Sequence, residues 1–98
     1  MKTQVKYNIV EDTFHIVSEV KRDKVQEVIE LLLRSQIGAG GDDSEPNKHD
    51  IYIIDIDLEL EDDTFDVSSN TGNKSLTTGI LAKLVQELSN NSDKVSFV

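Results

Sequence analysis

Apolar residues recur at even-numbered spacings on both sides of an acidic pair, Glu11–Asp12, near the start of the chain. They are Val5, Tyr7 and Ile9 before the pair, and Phe14, Ile16 and Val20 after it. This spacing is typical of half-buried β-strands, because successive side chains of a strand point to opposite faces of the sheet. The pattern predicts a β-hairpin.

The spacing then changes to that of a helix. Asp23 is a suitable N-cap with Gln26 three residues later. Apolar residues follow at intervals of three and four, at Val25, Val28, Ile29, Leu32 and Leu33. Because glycine often ends a helix, these residues and Gly38 predict a first helix of about three to four turns.

A glycine-rich stretch separates this helix from a second alternating segment. Residues 37–50 are rich in glycine and acidic residues and predict a long flexible loop. The residues Tyr52, Ile54, Ile56, Leu58 and Leu60 then share one strand face, and Phe65 and Val67 follow a second acidic turn. A second hairpin is predicted here.

A second helix is predicted from near Ser75 to Asn90–Asn91, with an apolar stripe of its own. The segment before it, 72–75, contains a glycine, a lysine and a serine but lacks the spacing of a phosphate-binding loop, so it predicts a turn and an N-cap. The tail, residues 94–98, either adds a short edge strand or frays.

The two halves resemble each other. Residues 11–16 (EDTFHI) recur as 62–67 (DDTFDV), an offset of 51, and one inserted residue then aligns the two helices. The alternative is chance similarity between two amphipathic hairpins. The repeat predicts two ββα units, roughly 1–38 and 50–91. They would form an α+β two-layer sandwich, in which both helices cover one face of a four-stranded, mostly antiparallel sheet.

The repeat also predicts a strand register. If Glu11–Asp12 and Asp62–Asp63 are two-residue turns, Tyr7 pairs with Ile16, and Leu58 pairs with Val67. On this register both hairpins bury one coherent apolar face.

Composition narrows the class of protein. The 98 residues predict one domain spanning 1–98. The sequence contains no cysteine, which excludes disulfides and thiolate chemistry. No stretch is apolar enough for a membrane span or a secretory signal, so a cytoplasmic protein without a membrane partner is expected.

The negative charge is concentrated in one region. The net charge is −9, and residues 42–66 contain eleven of the nineteen acidic residues but only Lys48 among the ten basic ones. That segment therefore carries −10 and the rest of the chain +1. Direct nucleic-acid binding is disfavoured, because it gains its free energy from basic residues that displace counterions. A basic protein is the better candidate partner.

The candidate partner-binding residues are the acids of the second hairpin. They are Asp55, Asp57, Glu59, Glu61, Asp62, Asp63 and Asp66. The odd-numbered residues 55–61 alternate with the apolar face, so they form a stripe on the opposite, exposed face. The predicted register places Asp66 opposite Glu59, a like-charge pair that stability alone would not favour.

Two interpretations of this stripe remain open. It is either a solvated face, partly neutralised by Lys6 of the first hairpin, or a docking surface for a basic protein. Small inhibitors, antitoxins and immunity proteins need only such a surface. The partner would then be a toxin or a nucleic-acid-binding protein, and regular carboxylates could imitate nucleic-acid phosphates.

Other functions are less well supported by the sequence. Asp57, Glu59 and Asp66 could offer oxygens to a divalent metal, but Leu60 occupies the position where a calcium loop needs glycine. A structural subunit or a homodimer formed through an unpaired strand edge is a further alternative. No motif places a nucleophile beside His15 or His49, so we expect a non-enzymatic protein without a cofactor.

Overall fold

The protein is seen here in a computed structural model that describes residues 1–34, 50–59, 61–62, 64–71 and 73–98. Its elements are β1 (Lys2–Asn8), β2 (Thr13–Ser18), α1 (Arg22–Arg34), β3 (Ile51–Glu59), β4 (Thr64–Ser69), α2 (Lys74–Ser89) and β5 (Val95–Phe97). The flexible loop predicted at 37–50 lies outside the described residues except for Asp50, as do Gly38 and His49.

The fold is α+β, as predicted, but its sheet has five strands and is mixed. The strand order is β4-β3-β1-β2-β5. Three neighbouring pairs are antiparallel, whereas β5 lies parallel to β2, with Phe14 beside Val95. The predicted four-stranded sheet is therefore wrong. The backbone N–H groups of Phe14 and Val98 donate to Lys94 and Ile16 and fix the tail as an edge strand.

Both helices lie on the same face of the sheet and pack into one core with both hairpins. The guanidinium carbon of Arg22, at the start of α1, lies 5.6 Å from the centre of the Phe97 ring. The last turns of α1 border a cavity with Leu58 and Phe65 of the second hairpin. Side chains from both hairpins and both helices therefore share one core cluster. Asp23 lies inside the first turn of α1, so its predicted N-cap role is wrong.

Both hairpins are paired two residues away from the predicted register. Tyr7 pairs with Phe14, and Leu58 pairs with Phe65. In the first hairpin the turn takes four residues, 9–12, because the Asn8 side-chain oxygen accepts from the N–H groups of Val10 and Glu11. Since the shift is an even number, the same apolar face is still buried.

The two hairpins nevertheless correspond at the predicted offset of 51. Every pair of the first hairpin from Thr3 to Asn8 has its counterpart in the second. Gln4 pairs with its own equivalent, Asp55, which places a local twofold axis between β1 and β3. The repeat is only partial, because β5 follows the second unit and has no counterpart among the described residues of the first.

None of the described helices is both long and apolar enough to cross a membrane. The apolar spacing of α2 includes the buried Ile80, Leu84 and Leu88, which pack into the common core. The helices therefore use their apolar sides to cover the sheet, and the other face of the sheet is left to the alternate residues of each strand.

Candidate functional site on the open sheet face

The face of the sheet that the helices do not cover carries the acidic residues of β3. Burial alternates along β3, with Tyr52, Ile54, Ile56 and Leu58 buried beneath the helices. Asp55 and Glu59 are exposed on the opposite face, and the Asp57 side chain retains 39% exposure there. The predicted stripe of carboxylates therefore lies on the open face.

The remaining predicted residues occupy three different places. Glu61 and Asp62 are exposed in the turn between β3 and β4. Asp66 is exposed on β4, beside the stripe. Asp63 lies outside the described residues. The structure thus brings Asp66 next to the β3 carboxylates, whereas Glu61 and Asp62 extend beyond the end of β3.

Asp66 lies directly opposite Asp57, so the predicted pairing with Glu59 is wrong. The cause is the shifted register of the hairpin, which places Thr64 opposite Glu59. Like charges directly opposite each other on neighbouring strands destabilise a sheet. The open face therefore keeps a like-charge pair, but at a position nearer to its centre than predicted.

The cation nearest to this pair is not the predicted one. On β1, the residue opposite Asp57 is Lys2. Lys6 lies four residues further along β1 and is opposite Ile53. The amino group of Met1 lies 3.5 Å from Asp57 Oδ1. Lys6 therefore does not lie opposite Asp57, because β1 and β3 are antiparallel and equivalent positions diverge away from the twofold axis. In the part of the chain that the structure describes, no ion pair joins Lys6 to a carboxylate.

The centre of the open face is a groove of about 520 Å³. Four acidic residues line it together with Lys2, and we call it the acidic groove. The carboxylates belong to Glu19, Asp55, Asp57 and Asp66. Gln4 donates from Nε2 to Asp55 Oδ1 at 2.9 Å. Among the described residues, the Asp66 carboxylate has no ion-pair partner and no side-chain hydrogen-bond partner.

This arrangement can bind cationic groups but does not gather the ligands of a metal ion. Within the described part of the chain, no three carboxylates or histidines are grouped closely enough to hold one. His15 lies on the same face, two strands from Asp55, and its Nδ1 is 3.1 Å from Ser96 Oγ. A row of carboxylates on a regular strand cannot wrap around an ion, whereas it can meet a row of basic side chains.

A second charged cluster, which the sequence did not reveal, ties α2 and the tail to the first hairpin. Asp12 accepts a hydrogen bond from Lys83, one from Lys94 at 2.8 Å and one from the Tyr7 hydroxyl at 2.7 Å. The contact with Lys83, followed by those with Lys94 and Tyr7, holds the pKa of Asp12 far below its usual range. Burial and the contact with Asp12 raise the pKa of Tyr7.

The bond to Asp12 also raises the pKa of Lys83 and that of Lys94. The only signal in the sequence was a lysine at the edge of the apolar stripe of α2, at Lys83. Its partner is 71 residues away in the chain and could not be identified from spacing. The Asp12 carboxylate is occupied by these three hydrogen bonds and is not free to act as a base or nucleophile. We therefore interpret the cluster as a structural contact.

The predicted N-cap before α2 is confirmed, whereas Gly72 of the predicted turn lies outside the described residues. Asn73 is the N-cap, and its Oδ1 accepts from Leu76 N at 2.8 Å. The buried hydroxyl groups of Thr71 and Thr77 lie 2.8 Å apart and contact Ser69. These groups satisfy one another and the backbone, which leaves none of them for a phosphate ligand.

Comparison of the chain with protein-family models, with curated proteins and with solved structures finds no match in any of the three. The charge, register and edge geometry of the open sheet are therefore the basis for proposing a function.

Proposed function

We propose that this protein is a non-enzymatic binding module that engages a basic protein through the acidic groove. Such a module would act as an inhibitor, antitoxin or immunity protein acts, by covering a functional surface of its partner. A surface of one charge sign accelerates encounter with an oppositely charged partner and favours the correct partner over others.

The observation that carries this proposal is the pair Asp57 and Asp66. The two carboxylates face each other across β3 and β4, and Asp55 lies two residues along the same face. The like-charge pair opposes folding by about a few tenths of a kcal/mol. The Met1 amino group, 3.5 Å from Asp57 Oδ1, offsets part of this repulsion. A basic side chain from a partner would neutralise both carboxylates at once and turn a repulsion into an attraction.

Nucleic-acid-binding proteins are one suitable class of partner. Carboxylates two residues apart on a strand, such as those of Asp55 and Asp57, are about 6.5 to 7 Å apart. Asp66 adds a further carboxylate beside them, on the neighbouring strand β4. This two-dimensional array could occupy a site that normally receives phosphates. A partner of that class would release the protein in competition with DNA or RNA.

The proposal is tested with the double variant Asp57→Asn, Asp66→Asn. We expect it to unfold at a higher temperature than the native protein, because the like-charge pair is removed. We also expect its affinity for a basic protein captured from native lysate to fall by about tenfold or more, with a weaker dependence on salt. Purified partner should be titrated by calorimetry at two salt concentrations.

The matched control is the double variant Glu11→Gln, Asp93→Asn, which changes the net charge by the same amount at two exposed positions away from the groove. It should bind like the native protein. Equal affinity of the two double variants would contradict the proposal, as would the absence of any captured basic partner.

A further inference from the structure

The acidic groove reaches an edge of the sheet at β4. Asn70 N donates to Ile53 O at 3.2 Å, and hydrogen-bonded pairs alternate along an antiparallel ladder. The backbone groups of Asp66 and Ser68 therefore point towards β3, and those of Phe65 and Val67 point away from it. Within the described ranges no strand lies beyond β4.

Along the described residues of β4, this edge lacks several of the features that usually keep a sheet from pairing with another chain. Proteins protect edges with proline, charged side chains such as lysine, bulges or very short strands. β4 has six residues (TFDVSS), none of which is proline or lysine, and its pairing with β3 is continuous from Thr64 to Ser69. The opposite edge, β5, has only three residues. The charge that β4 presents is the Asp66 carboxylate.

The helix side of the same edge carries a partly apolar cavity. It has a volume of about 380 Å³ and is bordered by α1 and by Leu58 and Phe65. Leu31 of α1, which also borders it, is 41% exposed. A side chain that entered this cavity from beyond β4 would cover apolar surface of Leu31 and Phe65.

We propose that β4 accepts an added strand from the partner, an extended segment in which basic and apolar residues alternate. The inference rests on the proposed function and names the part of the partner that binds. Basic residues of the segment would lie on the open face beside Asp66, and apolar residues would lie on the helix side, in the cavity beside Phe65.

The geometry of an added strand favours this charge pattern. Asp66 and the residue of the added strand opposite it would form a non-hydrogen-bonded pair, in which opposed side chains approach most closely. A lysine or arginine at that position would reach Asp66 and, beyond it, Asp57. Apolar residues would occupy the hydrogen-bonded pairs opposite Phe65 and Val67, where main-chain bonds supply affinity.

A second copy of this chain is a poor occupant of the same edge. Pairing two copies through β4 would bring two Asp57–Asp66 pairs into one sheet, with no additional cation between them. Like charges on neighbouring strands oppose such pairing. A basic segment gains from the charges that repel a second copy.

The test uses a capped synthetic peptide as long as β4, six residues, in which valine and lysine alternate. Amide hydrogen exchange of the native protein is followed by NMR with and without peptide at low salt. We expect exchange at Phe65 and Val67 to slow on the order of tenfold, with little change at Asp66 and Ser68. The variant Asp66→Asn should weaken peptide binding.

Two N-methylated peptides of equal charge and mass serve as controls. Methylation of the valine amides removes the donors that face β4 and should abolish binding, whereas methylation of the lysine amides should be tolerated. Peptide binding without slower exchange at Phe65 and Val67 would overturn strand addition and leave the proposed function standing. Absence of peptide binding, or slower exchange that depends on protein concentration alone, would also overturn it. Failure of the proposed function itself is recognised separately, through the Asp57 and Asp66 double variant.

Discussion

Asp12 joins the first hairpin, the second helix and the tail. It lies at φ 56° in the turn between β1 and β2, a conformation that aspartate and asparagine tolerate better than most residues. Its carboxylate binds Lys83 of α2 and Lys94 before β5, and it remains one-third exposed. The turn, the second helix and the tail are thereby connected by one charged group.

Replacement of Asp12 by asparagine should lower the melting temperature by several degrees at neutral pH. Asparagine keeps the side-chain shape and tolerates the positive φ, so the variant removes the charge and leaves the turn. Because folding lowers the pKa of Asp12, its contribution is present above the pKa of the unfolded chain, about 4, and is lost as the pH falls towards the folded value.

Denaturant unfolding from pH 7 to pH 2 measures this contribution as the difference between native protein and Asp12→Asn. The difference should be constant near neutral pH and should shrink below about pH 4. Glu11→Gln, at the exposed neighbouring position, should match the native protein. A difference between native protein and Asp12→Asn that stays constant down to pH 2 would contradict the assigned role.

At the scale of the elements, the sequence predicted which faces are buried but not how the strands are aligned. Alternation defined the inner faces of β1 to β4, and helical spacing defined the inner sides of α1 and α2. Both registers were wrong by two residues, because turn length depends on local hydrogen bonds such as those of Asn8. The face survived this error since a shift of two keeps each side chain on its side.

The candidate site was predictable to the same extent. The exposure of Asp55, Asp57 and Glu59 followed from alternation alone. The residues that lie beside Asp57 on the neighbouring strands could not be predicted in this way. The one on β4 depends on the register of the hairpin, and the one on β1 depends on the antiparallel pairing of β1 with β3. The sequence left the tail as either a short edge strand or a frayed end. Its parallel pairing with β2 could not be predicted, since β5 has only three residues and β2 is distant in the chain.

The start of α2 provides a prediction for one element. Thr71 is 1% exposed, and its hydroxyl oxygen contacts Thr77, Asn73 O and Asn73 N. The change Thr71→Val keeps the volume but removes the hydrogen bonds that the Thr71 hydroxyl makes to Thr77 Oγ1, Asn73 O and Asn73 N. We expect a loss of about 1 to 3 kcal/mol in the free energy of unfolding, measured by denaturant titration.

Thr78→Val is the matched control for that variant. Thr78 is exposed on the same helix, and its hydroxyl donates to Lys74 O. It should lose well under half as much stability, because water can replace its hydrogen bond. Equal losses at the two positions would show that the buried hydroxyl groups do not stabilise the start of α2 specifically.

Across the whole molecule, charge is distributed unevenly over the two units. The net charge is −9, and the described acids of the second hairpin lie on an open face and its turn, whereas Lys83 and Lys94 are already bound to Asp12. The ammonium groups of Lys83 and Lys94 therefore compensate the first hairpin and not the second. Repulsion among the carboxylates of the second hairpin is left as a global term that opposes folding.

This imbalance predicts that salt stabilises the free protein. Two effects compete, because salt screens both the repulsion on the open face and the attraction around Asp12. The exposed carboxylates lie several ångströms apart in water, where the screening length falls from about 30 Å at 0.01 M to about 8 Å at 0.15 M. The bonds to Asp12 are short and partly shielded, so they are screened less.

The melting temperature should therefore rise between these salt concentrations, and the double variant Asp57→Asn, Asp66→Asn should show a smaller rise. A fall of the melting temperature with salt in the native protein would mean that attraction around Asp12 outweighs repulsion on the open face.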